Sequence, residues 1–192
     1  MDKALWEKEC DASLDCLRGG GIILYPTDTV WGIGCDATNE EAVKKIYNLK
    51  KRSDQKSMIV LVATEKDIFK YVAAVDLALF DFLEEQKKPT TTIYDGAINL
   101  APNLVNSDGS IAIRIVQDDF CRHLVKRLQK PIVSTSANLS GDPSPQNFFA
   151  ISKDIKKGVD YIVGLRQNET AIQAPSQIIR WEKDGSVTYI RR

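Results

Sequence analysis

Three short stretches hold the residues with which this chain could do chemistry. The first is Pro131-Ile-Val-Ser-Thr-Ser-Ala-Asn-Leu-Ser-Gly141, where an apolar run breaks into Ser134, Thr135, Ser136, Asn138 and Ser140. Neutral donors and acceptors at a strand end suit a nucleotide or an amino acid, because the rigid strand positions the loop after it. The same residue types also form ordinary turns, so this stretch alone leaves both readings open. The second is Tyr25-Pro-Thr-Asp-Thr-Val-Trp-Gly-Ile-Gly-Cys-Asp36. Pro26 stops a strand, Thr27 and Thr29 offer hydroxyls, and Gly32 and Gly34 allow close backbone approach or positive φ. Trp31 could wall a pocket. The spacing is neither a GxGxxG nor a Walker A pattern, and an irregular loop held by its own Thr and Asp side chains fits equally well. The third is Lys44-Lys-Ile-Tyr-Asn-Leu-Lys-Lys-Arg52 with Lys56 just beyond. Cations at a helix C-terminus complement the macrodipole, so a solvated helix end is the plain alternative. Lys50, Arg52 and Lys56 fall where that helix breaks and could instead clamp a polyphosphate, the arginine bidentate and the lysines as point charges.

Other chemistries are poorly served. The chain has one histidine, His123, and four scattered cysteines, Cys10, Cys16, Cys35 and Cys121, with no CxxC pair. That argues against zinc and against Ser-His-Asp or Cys-His nucleophilic catalysis. The 26 basic residues balance the 26 acidic ones, so any RNA contact must come from a local patch. The N-terminus is too polar for a signal peptide, and no apolar run approaches the ~20 residues of a membrane span; a cytosolic protein is expected.

The elements that must position these residues follow from pattern. Residues 3–18 read as an amphipathic helix with Leu5, Cys10, Leu14 and Leu17 in step, ended by Gly19-Gly-Gly21. Residues 22–25 form a short strand. Thr38-Asn-Glu-Glu41 resembles a capping box that opens a helix running to Lys50. Residues 58–63 read as a strand covered on both faces, 75–86 as a helix and 90–94 as a strand. Ile111-Ala-Ile-Arg-Ile-Val116 alternates, placing Arg114 on the face opposite its isoleucines. A helix at 118–130 carries His123, and another is expected near 146–157. Asp184-Gly185 signals a hairpin between 176–181 and 186–190. With 192 residues, 43% apolar, one domain over 1–192 is expected, of α/β (α+β) class: a twisted mixed sheet with flanking helices.

Taken together, Tyr-Pro-Thr-Asp-Thr, the Lys-x-Arg of Lys50 and Arg52, and the Ser-x-Asn of Ser136 and Asn138 resemble the YrdC-like threonylcarbamoyl-AMP synthase family. The resemblance runs from about Gly21 to Pro145. The related YciO-like branch typically lacks the last two motifs, which places the chain with the synthases in their short, single-domain form. The resemblance implies a fold built around a large concave groove, and substrates ATP, L-threonine and bicarbonate. It implies Mg²⁺ accompanying the ATP with no protein-bound metal. The product, threonylcarbamoyl-AMP, would serve tRNA modification through a downstream threonylcarbamoyl-transferase complex. By the same resemblance Lys50, Arg52, Ser136 and Asn138 form the catalytic set. Lys56, Thr91, Ser134, Ser144 and Ser176 complete the ATP contacts, while Thr27, Thr29 and Arg114 hold threonine.

The chemistry suits such a set. Threonine's amine captures carbon dioxide unaided, and the resulting carbamate attacks the α-phosphorus, so the protein need only position, exclude water and neutralise charge. From their helix-end location, removing Lys50 or Arg52 is expected to depress turnover and leave folding nearly intact. The chain departs from the family at Lys87-Lys88-Pro89, where Pro-Gly-Pro is usual, and at Ile59-Val-Leu-Val62, where many members carry a histidine. A module binding double-stranded RNA or tRNA without catalysis, or a nucleotide-binding regulatory paralogue, are the alternatives.

Overall fold

The computed structural model describes residues 3–51, 58–172 and 174–192. The positions named from sequence as Arg52 and Lys56 lie outside the described residues. Helix α1 (Lys3–Arg18) buries Cys10, Leu14 and Leu17 and ends at Gly20, whose φ of +73° only glycine adopts freely. Leu5, read as part of that stripe, is 41% exposed. Strand β1 (Ile23–Tyr25) returns antiparallel as β2 (Gly32–Gly34). Sequence reading placed a loop there, because Gly-Ile-Gly shows no alternating pattern to betray a strand. Helix α2 (Glu40–Lys50) starts one residue later than expected. Asn39 is its cap, accepting from the Ala42 N–H at 3.1 Å, while the Thr38 hydroxyl donates instead to Asp36 Oδ1 at 2.7 Å.

Strand β3 (Ile59–Val62) leads to a one-turn helix, α3 (Glu65–Ile68), where the Thr64 N–H and hydroxyl both donate to Asp67 Oδ2. Helix α4 (Ala78–Glu84) is shorter than the expected 75–86, because Asp76 Oδ1 accepts from the Ala78 N–H and starts the helix there. Strand β4 (Thr90–Tyr94), a 3-10 turn at Pro102–Leu104 and β5 (Ile111–Ile115) follow. Helix α5 (Asp119–Leu128), capped by Asp118 on the Cys121 N–H, precedes β6 (Ile132–Ser136). The single helix expected near 146–157 is a 3-10 turn at Phe148–Ala150 and a separate α6 (Lys153–Gly158), divided where Ser152 caps the Ile155 N–H. A two-residue β7 (Tyr161–Ile162) and the expected hairpin of β8 (Gln177–Trp181) and β9 (Val187–Arg191) complete the chain.

Among the described residues the strands join in one mixed sheet, ordered β7-β1-β2-β6-β3-β5-β4-β8-β9. Residues paired across a ladder share a face. Leu61 pairs with both Arg114 and Ile132, Ile59 with Ser134, Gly32 with Ser136, and Ile178 with both Thr91 and Arg191. All of these therefore look out from one side. Over β1, β6 and β3 that side is roofed by α1 and α5, with Leu14, Leu17, Phe120 and Leu124 packed on Ile23, Leu61 and Ile132. Each such side chain contributes about 1.5–3 kcal/mol on burial. Beyond β3 the roof stops, and Ala112, Ile93 and Ile178 on β5, β4 and β8 are only half-buried. The opposite side carries the larger core, including Val60, Tyr94, Ile113, Val133 and Ile179. The face of the sheet beyond the roof is therefore less covered than the face beneath it.

Candidate active site

A cleft of about 190 Å³ opens where the roof ends. Thr29, Gly32, Ile59, Arg114, Ser134, Ser136, Ser144, Ser176 and Arg191 are among its lining residues. Gly32 keeps its wall thin, since a Cβ there would stand 3.2 Å from Ser134 Oγ. At Gly34 a Cβ would meet the Val133 carbonyl at 2.5 Å and the Tyr25 ring at 2.7 Å. Close approach, and not positive φ, is thus the reason for both glycines. Trp31 does not wall the cleft as expected. It is 7% exposed and packs on Phe148 at 4.9 Å between ring centroids, because a side chain on that side of the loop falls into the core.

The Thr-Asp-Thr loop grips an arginine. Arg114, on β5 and 3% exposed, donates through Nη1 to Thr29 Oγ1 at 3.2 Å and stands 3.2 Å from Asp28 Oδ1. The ion pair is not aligned as a hydrogen bond: Arg114 Nε and Asp28 Oδ1 are both buried without a hydrogen-bond partner. The Thr27 hydroxyl donates to the Val30 carbonyl at 2.8 Å and accepts from the Thr29 N–H at 3.0 Å. Its bond to the Thr29 hydroxyl is therefore donated by Thr29. Thr27 supports the loop from behind the cleft, and Thr29 faces it.

Arg191 escaped the sequence reading. Its Nε and Nη2 donate to the Ser176 carbonyl at 3.0 and 2.7 Å, which holds the guanidinium over the cleft. Burial, and then the nearby Arg114 charge, push its pKa below the ordinary arginine value. Two guanidinium groups that disfavour each other make the cleft a place for an anion. No local motif announces Arg191; it ends an edge strand in a plain Ile-Arg-Arg tail. Ser176 shares a 2.8 Å hydrogen bond with Thr91, which is fully buried behind it and does not reach the cleft.

On the β6 side, Ser134, Ser136 and Ser144 line the cleft. Asn138 does not: its amide donates to the carbonyls of Leu139 and Asp142 at 2.9 and 2.7 Å, and its Oδ1 is buried without a partner. The largest departure from expectation is Lys50. Although it is the last residue of α2, it is 1% exposed, and its ammonium donates to the carbonyls of Ser136 and of Asn138, the latter at 2.6 Å. The helix end points into the protein because the loop after β6 passes over it, so Lys50, expected in the catalytic and phosphate-binding set, does not line the cleft.

A larger cleft of about 300 Å³ opens elsewhere, lined by residues that include Leu83, Lys87, Lys88, Pro89, Ile113 and Ile115. Of the stretches singled out for chemistry it takes Asp28, whereas Thr29, Arg114, Ser134, Ser136, Ser144 and Ser176 meet in the smaller cleft, which is the candidate site. His123 lies against Trp6 at 4.6 Å, and burial followed by Arg127 lowers its pKa. Among the described residues no group of three His, Cys, Asp or Glu is arranged to hold a metal ion.

A mixed α/β sheet with an anion-receiving cleft at a strand end defines the class. The family model Sua5/YciO/YrdC, described as telomere recombination, matches residues 15–192, and the chain belongs to this family. It is similar to the threonylcarbamoyl-AMP synthase of Stenotrophomonas maltophilia, 31% identical over 184 residues, covering 94% of this chain and 97% of that protein. The threonylcarbamoyl-AMP synthase of Photobacterium profundum is 31% identical over 170 residues, covering 83% of this chain and 90% of that protein. Among solved structures, P. abyssi Sua5 complexed with L-threonine superposes with a TM-score of 0.83 at 21% identity, over 97% of this chain and 54% of that one. E. coli YciO superposes with a TM-score of 0.82 at 21% identity, over 97% and 89%.

Proposed function

We propose that this protein is an L-threonylcarbamoyladenylate synthase, a nucleotidyltransferase that joins L-threonine, bicarbonate or carbon dioxide and ATP and releases pyrophosphate. The observation that carries the reading is the pairing of Arg114 and Arg191 in one cleft with Thr29 and Ser136. Two fixed cations suit a substrate pair that brings a carboxylate and a polyphosphate. The names of the curated relatives and the threonine complex of P. abyssi Sua5 support it.

Arg114, with a buried and unpartnered Nε, takes the threonine carboxylate, and Thr29 orients the amino acid. Ser134, Ser136, Ser144, Ser176 and Arg191 face the nucleotide, with Arg52 and Lys56 as further phosphate contacts. Thr27, Thr91 and Asn138 act from behind. Threonine's amine adds to carbon dioxide and loses a proton, giving a carbamate. One carbamate oxygen then bonds to the α-phosphorus of ATP as the bond to the β-bridging oxygen breaks, and pyrophosphate departs. Mg²⁺ arrives with the nucleotide as part of the substrate. On this reading the reaction is cytoplasmic, and the labile product passes to a threonylcarbamoyl-transferase complex for tRNA modification.

The test is pyrophosphate release from ATP with threonine and bicarbonate each omitted in turn. Release should require both. Release that ignores threonine, or none at all beside salt-sensitive RNA binding, would overturn the reading.

A further inference from the structure

We infer that Lys50 is a positioning residue: its buried ammonium tethers the turn after β6 and so places Ser136 at the nucleotide, without touching phosphate itself. The inference rests on the synthase reading for its ligand, and on geometry for the rest. A lysine that grips a phosphate presents its ammonium to the cleft. Lys50 is 1% exposed, is absent from the cleft lining, and points two donors at main-chain carbonyls, those of Ser136 and Asn138.

The tether works in both directions. The Ser140 N–H donates to the Lys50 carbonyl at 2.8 Å, so the last residue of α2 holds residues 136–140 from its side chain and its backbone together. With the Ser136 carbonyl drawn to the ammonium, the planar trans peptide turns the Ala137 N–H the other way, where it donates to the Trp31 carbonyl at 3.0 Å. The turn is thereby clamped between α2 and the loop before β2. Ser136 Oγ, at the open end of β6, is fixed over the cleft as a result. A charged donor suits the task, because hydrogen bonds from an ammonium to a carbonyl are stronger than those between neutral groups. Asn138 reinforces the same turn through the carbonyls of Leu139 and Asp142.

The experiment compares wild type with Lys50→Met and Lys50→Arg, using binding of ATP and of AMP by calorimetry and hydrogen exchange of the turn amides. For Lys50→Met the inference expects ATP and AMP to weaken by the same factor, within threefold, since the turn serves the part that both share. It also expects the Ala137 and Asn138 amides to exchange at least tenfold faster while those of β3 stay protected. Lys50→Arg, which keeps a charged donor, should recover part of the nucleotide affinity. A tenfold loss of ATP affinity with AMP unchanged would mean a direct contact to the β- or γ-phosphate and would overturn the inference. Unchanged exchange at the turn would overturn it as well. If Lys50→Met does not fold, the ammonium resonance of Lys50 in the wild-type protein decides: addition of pyrophosphate should leave it in place, and a large shift refutes the tether. Failure of the synthase reading looks different, as wild type would then release no threonine-dependent pyrophosphate while the exchange result still stands or falls alone.

Discussion

At the scale of single residues, the site is organised by charge held off its ideal geometry. Arg114 meets Asp28 at 3.2 Å without a proper hydrogen bond, and both leave a buried atom unpartnered. Such an arrangement tolerates, and gains from, an incoming carboxylate that completes the guanidinium's hydrogen bonds. Asp28→Asn keeps the shape but removes the charge that holds Arg114. It should raise the threonine KM about tenfold with kcat within about threefold, a pattern of lost uniform binding readable from steady-state kinetics. Arg114→Met should be more severe. It leaves the half-buried Asp28 without its cation, and since loss of a partner from a fully buried pair costs about 3–5 kcal/mol, a smaller loss is expected here, visible as a lower urea midpoint. The Lys50 position revises the expectation that its loss spares folding, since removing a 1% exposed ammonium takes a charged donor from the Asn138 carbonyl and leaves the Ser136 carbonyl with the Asn138 N–H alone.

At the scale of elements, caps and close approaches decide where helices begin and how tightly strands pack. Asn39 caps α2, and Asn39→Ala should cost about 1 kcal/mol in urea unfolding, whereas Thr38→Ala should leave the cap intact. Gly34 is set by neighbours. Its missing Cβ is the space occupied by the Val133 carbonyl and the Tyr25 ring, so Gly34→Ala should destabilise by about 1–3 kcal/mol. Gly109, with φ +78° and open space about it, separates the two causes, since alanine there suffers from backbone conformation alone. Elements with strong local signals were legible: α1 to within its stripe, the alternation of β5 and the hairpin at Asp184-Gly185. Strands β2 and β7 were not, because two or three residues rich in glycine or next to a turn carry no period. Strand β7 is fixed by pairing with β1, far earlier in the chain, and β2 lies between its neighbour β1 and the distant β6.

At the scale of the whole molecule, α1 and α5 roof half of one sheet face, and the functional cleft exists because they stop at β3. Helix α1 is locked to β7 and the loop after it by Glu9, whose carboxylate accepts from the Tyr161 hydroxyl at 2.8 Å and from the Gly164 N–H at 2.6 Å. Burial under this roof governs the thiols. Cys10 is pushed up to about 11 by burial and then by Asp11, and Cys16 to about 11 by burial and then by Asp160. At pH 8 roughly one thiol in a thousand is then ionised. Iodoacetamide should modify these cysteines slowly in the native protein and quickly in urea, as mass spectrometry would register. The linkage has a definite sign. The folded state favours the neutral thiols, so their stabilisation is complete below pH 9.0 and is lost as pH rises toward about 11. The urea midpoint should fall across that window.

By itself the sequence determined the pieces whose signal is local: a polar turn closing a strand at Ser134 to Asn138, a hydroxyl-bearing loop at Thr27 to Thr29, an arginine on the face of β5 opposite its isoleucines. Period, turn chemistry and motif spacing are properties of neighbouring residues, and a chain displays them before it folds. Only the tertiary structure decided that Arg191 joins Arg114, that Asn138 and Thr91 stand behind the cleft, and that Lys50 turns inward to the β6 turn. Those outcomes depend on which strand ends lie side by side and which loop crosses which helix terminus. A side chain's partner is chosen by that packing, and no window of sequence contains it.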